Sequence, residues 1–584
     1  MADDKSEGLT GLGKFISFLF IIGLIALGFW VYQGQSATPN TTHPNTATPA
    51  QNPSAPAAPT PDANAGIEAP DVGSVTTVKE YKFVPADKLP PVKGVSQYKW
   101  NEADKVLRFS YNVWAGWLPI VAANRGTKAN TDSVFYKKHG FKVEMVLMDD
   151  PVAARDAYAA GDVHTLWGTV DMMVLFAAEL ARDSRTALRI VQQVDWSNGG
   201  DGIVVRKNIR NVKDLKGKTV ALAQNSPSEY YLTSLLLSAG MKPSDIKTKY
   251  TATAFEAAAA FVSDPSIDAT VSWAPDIYNI VDRVAGTKIL SSTADANKLI
   301  ADVYAVRADF VRDHPAVVQG LVEGILEGMD LVKSKPEEAS AWMADAFGMK
   351  PEDVMAMRND AHATNAAENV QFFLNSSNPT NFERTWKSAS FVYRELGRIN
   401  APVPFDQVMD FSYIQKALVS GKFAAQKDES VATFTPSTAK KINAEAPILT
   451  QTIRINFFPN SSNPFEPARD DVGAVQTGRL YDPNVTATLE QVGRLSGQFA
   501  RATILIQGNT DGSMRGKVPE KEVKQLSTER AESIKRALID KFKFDPNKFV
   551  IEGNGWNNPA DPTDPNNHSL NRRVEISVYP PEDK

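Results

Sequence analysis

Near the C-terminal end of this 584-residue chain, Gly508-Asn509-Thr510-Asp511 is followed by Leu526-Ser527-Thr528-Glu529-Arg530-Ala531. The pattern supplies one carboxylate and one guanidinium, each at the mouth of a structural element. Held side by side, such a pair can grip a zwitterion: the guanidinium forks onto a carboxylate while the Asp accepts from an ammonium. The elements that must position them are legible nearby. Thr503-Ile504-Leu505-Ile506-Gln507 reads as a buried strand ending at a Gly turn, so Asp511 projects from a strand end into a loop, with Asn509 and Thr510 beside it. Ser527 and Arg530 open the amphipathic run Ala531, Ile534, Leu538, Ile539, which predicts Arg530 in the first turn of a helix. The competing reading is an arginine that caps its helix region and pairs with a surface acid.

Three further stretches stand in order around these two: residues 453–458 as a first strand ending in Phe-Pro, Val550-Ile551-Glu552-Gly553 as a later strand, and Asn571-Arg572-Arg573-Val574-Glu575-Ile576 as the last. Together they make the segment from Ile448 to the C-terminus resemble the OmpA-like peptidoglycan-binding domain. The resemblance implies an α+β fold in which Asp511 and Arg530 hold the free amino-acid end of diaminopimelate in the wall's stem peptide. Three departures predict a weaker grip than the family norm. Asn509 stands where a His is usual, Val523 where an Asn is usual, and the loop 512–525 looks enlarged.

The front of the chain bears on location. Residues 15–32 form an apolar run without a charge, long enough at about 1.5 Å per residue to cross most of a hydrocarbon core of about 30 Å. Lys14 and the pair Trp30 and Tyr32 bracket it, and no Lys or Arg follows until Lys79, which predicts a cytoplasmic N-terminus (1–14), a single-pass inner-membrane helix and an exported remainder. The rival is a cleaved signal peptide, although no Ala-x-Ala site closes the run. With no cysteine in the chain, an acyl-cysteine anchor, disulfides and thiolate chemistry are excluded. Residues 33–97 read as a disordered linker, rich in Pro, Ala and Thr up to about Pro70. At roughly 3 Å per residue its nearly forty most biased residues could extend on the order of 100 Å.

A net charge of -5 without a basic stripe argues against nucleic acid as a partner, and the six scattered histidines predict no metal site and no cofactor. The middle region, residues 98–427, alternates strands with Ala-rich helices such as 152–160 and 254–262. The strands are read at 106–111, 141–148, 165–167, 188–194, 202–205, 218–223, 267–272 and 288–290. That alternation predicts parallel sheets with helices on both faces, and its length predicts two lobes. Gly217-Lys218-Thr219 looks like the end of a phosphate-binding loop, but Val212 stands where the first Gly is required, so it reads as a tight turn into a strand.

Val212 to Ala221, Leu235-Leu236-Leu237-Ser238-Ala239-Gly240, Asp268-Ala269, Trp273-Ala274-Pro275 and His314-Pro315 make residues 104–420 similar to the periplasmic solute-binding proteins of the nitrate, sulfonate, taurine and thiamine-precursor group. The resemblance implies the two-lobed α/β periplasmic binding protein fold, with crossovers expected near 194–202 and 302–307 and a hinge that closes on ligand. Loops after the predicted strands then line the cleft, giving Trp114, Trp117, Thr169, Asp171, Asp195, Ser226, Trp273 and Asp276 as candidate solute-binding residues, with Glu229 beside them. No Lys or Arg occurs in these loops, so aromatic faces and carboxylates favour a cationic, zwitterionic or nitrogen-heterocyclic solute. An oxyanion held by backbone N–H groups is the alternative.

The expected organisation is therefore a membrane anchor, a linker, a solute-binding domain (98–427), a short linker (428–447) and a wall-binding domain (448–584). The partners implied are a small solute, peptidoglycan, the inner membrane and an ABC permease. A tether or sensor that links membrane and wall is the other reading. No Gly-x-Ser-x-Gly, His-Glu-x-x-His or Cys-His constellation supports an enzyme.

Overall fold

The computed structural model describes residues 75–86, 89–444 and 447–580. The expected membrane span at 15–32 and the most biased part of the linker lie outside them. Among the described residues no helix is long and apolar enough to cross a membrane.

The chain starts its first lobe with β1 (Val106–Tyr111), β2 (Lys142–Leu147), β3 (Thr165–Thr169) and β4 (Leu188–Ser197). It then builds a second lobe from β5 (Asp201–Arg206), β6 (Thr219–Ala223), β7 (Lys247–Thr251), β8 (Ala269–Trp273) and β9 (Thr287–Ser292). It returns to the first lobe with β10 (Ala301–Arg307) and β11 (Ala361–Ala363). The sheet orders are β11-β4-β10-β3-β1-β2 and β7-β6-β8-β5-β9.

Both sheets are mixed, where the alternation of elements predicts parallel ones. β1 runs parallel to β2 and β3, and β6 parallel to β7 and β8, as helical connections require. β10 is antiparallel to β3 and β4, and β5 antiparallel to β8 and β9. The reversed strands are those that carry the chain between lobes. The first crossover is the short step from Ser197 to Asp201; the second lies between Ser292 and Ala301. Residues 302–307, expected as that crossover, are instead a central strand, because Val303, Tyr304, Ala305 and Val306 are all fully buried between two neighbours. β7 escapes the hydrophobic pattern because Lys247, Thr248 and Lys249 leave it on a solvated edge.

Part of the expected linker is ordered. Val84 bridges Tyr250 of β7, and Tyr81 and Phe83 pack against the second lobe. Further on, Ser96 N–H donates to Ala159 O at 3.1 Å, and the Pro90 carbonyl accepts from buried Arg155 at 2.7 Å. The apolar residues Tyr81 and Phe83 thus cover part of the second lobe.

The C-terminal domain has β12 (Leu449–Ile453), a hairpin of β13 (Pro467–Arg469) and β14 (Val475–Leu480), then β15 (Thr503–Asn509), β16 (Phe549–Gly555) and β17 (Arg573–Tyr579). Its main sheet has the order β12-β17-β15-β16, with helices Val485–Gln498 and Glu520–Phe542. The first strand thus ends at Ile453, where the expected strand 453–458 begins, and Ile455, Asn456 and Phe457 beyond it wall a pocket around Arg530. The helix begins at Glu520, so Arg530 sits in its middle and not in its first turn. Ser527 does not cap it: its Oγ accepts from Gly555 N at 3.0 Å and donates to Lys524 O at 2.8 Å. This helix lies so close to β15 that a Cβ on Gly508 would stand 2.1 Å from Ser527 O.

Candidate functional site

Two sites emerge, one in each domain. In the C-terminal domain a cavity of about 470 Å³ is lined by Phe457, Tyr481, Asn509, Arg530, His568 and Arg572, among others. Arg530 enters from mid-helix. Its Nε donates to Ser461 O at 3.1 Å, and its guanidinium lies 4.9 Å from the Phe457 ring centroid. Burial and then repulsion from Arg572 lower this guanidinium to about 10, against the pull of Asp511, so it stays charged at neutral pH. Asp511, at the end of β15, accepts from Ser513 N at 2.9 Å and from Arg572 Nε at 2.5 Å, with His568 Nδ1 at 3.1 Å. Burial pushes the Asp511 carboxyl up, but the bonds from Ser513, Arg572 and His568 outweigh it and hold it well below the usual carboxylate range.

Asn509 Oδ1 accepts from Asn554 Nδ2 at 3.0 Å, and Thr510 N donates to Gly555 O at 2.8 Å, so both brace the strand end. Arg572 and His568 are additions to the sequence-derived set. Arg572 lies in a stretch read only as a strand, which actually starts at Arg573, and His568 opens the short helix His568–Asn571 after a Pro- and Asn-rich stretch without a motif. A basic pair just before a final strand was the available signal for Arg572.

In the middle domain, carboxylates from both lobe-crossing strands meet. Asp195 ends β4, Asp201 begins β5, Asp302 lies in β10 opposite Thr169, and Asp171 starts the helix Val170–Leu180. All four are buried. Trp114 Nε1 donates to Asp195 Oδ1 at 3.3 Å, Ser197 Oγ to Asp201 Oδ2 at 2.6 Å, and Tyr393 OH to Asp171 Oδ2 at 3.0 Å. A Cβ on Gly116 would stand 1.8 Å from Asp195 Oδ2, so only glycine lets that loop close over the carboxylate.

Burial, together with Asp201, raises Asp195 to about 8. Burial, then Asp171 and Asp360, raise Asp201 to about 7, and burial followed by Asp195 holds Asp302 well above the carboxylate range. Burial also raises Asp171 to about 6. These folded values exceed the unfolded Asp value of about 3.9. The cluster's stabilising contribution is therefore present below pH about 4 and is lost as pH rises through about 8, the value for Asp195. Asp302→Asn is expected to make melting temperature fall less steeply than in the wild type between those limits. Parallel curves for the two proteins would contradict this.

Across the junction, Asn225 Oδ1, Ser228 Oγ and Trp273 Nε1 of the second lobe are buried polar atoms with no partner among the described residues. Ser226 Oγ turns back to Ala223 O at 2.9 Å. Two other candidates have partners within the protein. Trp117 is a core residue against Phe109, its Nε1 donating to Asn112 at 2.7 Å. Asp276 receives Thr77 N at 2.8 Å and Thr77 Oγ1 at 2.7 Å from the ordered linker segment. Asp201 and Asp302 extend the sequence-derived set. The cleft loops carry no cation of their own, yet Arg398, from outside them, pairs with Glu229 at 2.7 Å across the lobes.

Residues 128–339 match the family model "NMT1/THI5 like", and residues 474–573 match "OmpA family". The middle of the chain is 31% identical over 156 residues to the putative aliphatic sulfonates-binding protein of Escherichia coli, covering 26% of this chain and 47% of that protein. It is 26% identical over 212 residues to the taurine-binding periplasmic protein of the same organism, covering 36% and 63%. The C-terminal part is 30% identical over 99 residues to outer membrane protein Omp38 of Acinetobacter baumannii, covering 17% of this chain and 26% of that protein. The chain thus spans about half to under two-thirds of the solute-binding relatives it matches. The middle of the chain is an NMT1/THI5-like solute-binding domain with the periplasmic binding protein fold, and its C-terminal part is an OmpA family domain.

Proposed function

We propose that this protein is an envelope receptor that captures a small solute between its lobes while its C-terminal domain holds peptidoglycan. Residues 15–32 anchor it in the inner membrane, the bulk of the chain is periplasmic, and an ABC permease receives the solute. The observation that carries the solute half is the buried set Asp171, Asp195, Asp201 and Asp302 at the ends of the lobe-crossing strands, with the unpartnered buried polar atoms of Asn225, Ser228 and Trp273 in the second lobe. A positively charged nitrogen would let these carboxyls ionise and would offset their mutual repulsion. Taurine, named for one relative, carries such a nitrogen beside its sulfonate. For the wall half, Arg530 takes the carboxylate and Asp511 the ammonium of diaminopimelate.

Native mass spectrometry of the full chain, followed by thermal-shift titration at pH 7, tests the solute assignment. Taurine or simple amines are expected to raise the melting temperature, and alkanesulfonates lacking nitrogen are not. Stabilisation by the nitrogen-free sulfonates alone would sink the charge assignment.

A further inference from the structure

We infer that the C-terminal domain is a clamp on the solute-binding lobes, so that lobe opening and undocking of this domain are one event. This rests on the middle domain opening about its crossovers and not on which solute it takes.

The helix Val485–Gln498 lies against both lobes at once. A cavity of about 170 Å³ marks the three-way junction, lined by Gln491 and Arg494, by Ser234 and Leu237 of the second lobe and by Ser388 and Phe391 of the first. On the first lobe, Arg384 Nε donates to Glu490 at 2.5 Å, Lys541 Nζ shares Glu490 at 2.8 Å, and the Arg384 guanidinium lies 5.2 Å from the Phe542 ring centroid. Gly497 fits the same face so closely that a Cβ would stand 2.6 Å from the rigid Pro379 ring. The third contact is the return crossover itself. Lys298 N donates to Gln498 O at 3.1 Å, and buried Asn297 Oδ1 accepts from Ala500 N at 3.1 Å.

A hinge motion displaces the second-lobe helix Pro227–Ser238 relative to the first-lobe helix Phe382–Glu395. One stiff helix packed on both cannot follow both. Opening therefore breaks either the Arg384–Glu490 side or the Ser234–Leu237 side, and the bonds at Asn297 and Lys298 with it. Because coupling between sites is reciprocal, solute that favours closure also favours docking, and anything that pulls the domain away favours opening. The inter-lobe pair Glu229–Arg398 belongs to the same closed arrangement.

The chain has no cysteine, so introduced pairs report distances without background. In the full chain, spin labels at Lys137→Cys and Lys216→Cys read lobe separation, and labels at Lys137→Cys and Lys521→Cys read docking. Arg384→Glu and Glu490→Arg are each expected to add a longer-distance population to both pairs, in equal proportion. The double swap Arg384→Glu with Glu490→Arg is expected to restore single narrow distributions. Gly497→Trp provides undocking by bulk in place of charge. Loss of the docking distance with an unchanged lobe distance, or a longer lobe distance with an unchanged docking distance, would overturn the clamp. So would both distances staying as in the wild type in all three single variants, since the interface would then hold nothing.

Discussion

Arg530→Ala is expected to lower retention of the protein on purified sacculi about 10- to 100-fold, since one or two charge-assisted hydrogen bonds of roughly 1.5–3 kcal/mol are lost and about 1.4 kcal/mol corresponds to a tenfold change. The guanidinium's cavity is already shaped: Phe457 covers its face and Ser461 O fixes its Nε, leaving its fork for a ligand carboxylate. Arg530→Lys should recover little, because an ammonium cannot fork onto two oxygens. Asp511→Ala should lose at least as much. It removes the ammonium acceptor and also frees the Arg572 guanidinium, which repels the same ligand nitrogen. Retention unchanged in both Arg530→Ala and Asp511→Ala would refute the assigned grip.

Arg307→Met is expected to destabilise the first lobe by about 3–5 kcal/mol, the usual consequence of removing one partner from a buried ion pair. Arg307 ends β10 with a fully buried side chain. Its Nε and Nη2 fork onto Asp309 at 3.0 and 2.8 Å. Its remaining donors reach Tyr158 O at 2.6 Å, Ala159 O at 3.0 Å and Ser96 O at 2.9 Å. The substitution strands the Asp309 carboxylate and takes one donor from each of three carbonyls, of which Tyr158 O and Ala159 O keep the backbone donors Gly161 N and Ser96 N, and it loosens the ordered segment before the first strand at Ser96 O. Urea unfolding followed by hydrogen exchange in β10 resolves the first lobe from the other units. Adding Asp309→Leu should recover part of the loss by removing the unpaired charge. A loss below about 1 kcal/mol in Arg307→Met would show that the network is dispensable.

Features that depend on local pattern were legible in the residues alone. β1 was legible at its observed bounds because Val106, Leu107, Phe109 and Tyr111 alternate with polar residues before a loop. Asp511 was legible as a residue just past a strand end, although the strand runs through Gly508 to Asn509, and that glycine makes room for the helix at Ser527 instead of forming a turn. Both domains were legible for the same reason, since short motifs in a fixed order need no knowledge of contacts. Arg530 lines the cavity but differs from the expectation in its setting: Ser527 resembles an N-cap, but its hydroxyl is engaged by Gly555, and the helix extends back to Glu520. The partners of these groups, by contrast, come only from the folded chain. Asp201 and Asp302 join Asp195 because reversed crossover strands bring them together over about a hundred residues, a closure that no periodicity encodes. Asp276 Oδ1 accepts from Thr77, and Trp117 packs in the core, contacts that no local pattern shows although each residue follows a strand. The contact of the C-terminal domain with both lobes likewise depends on the shapes of three assembled surfaces. Hydrophobic period and turn chemistry act over a few residues, whereas charge clusters and docking are set by which surfaces the folded chain leaves facing each other.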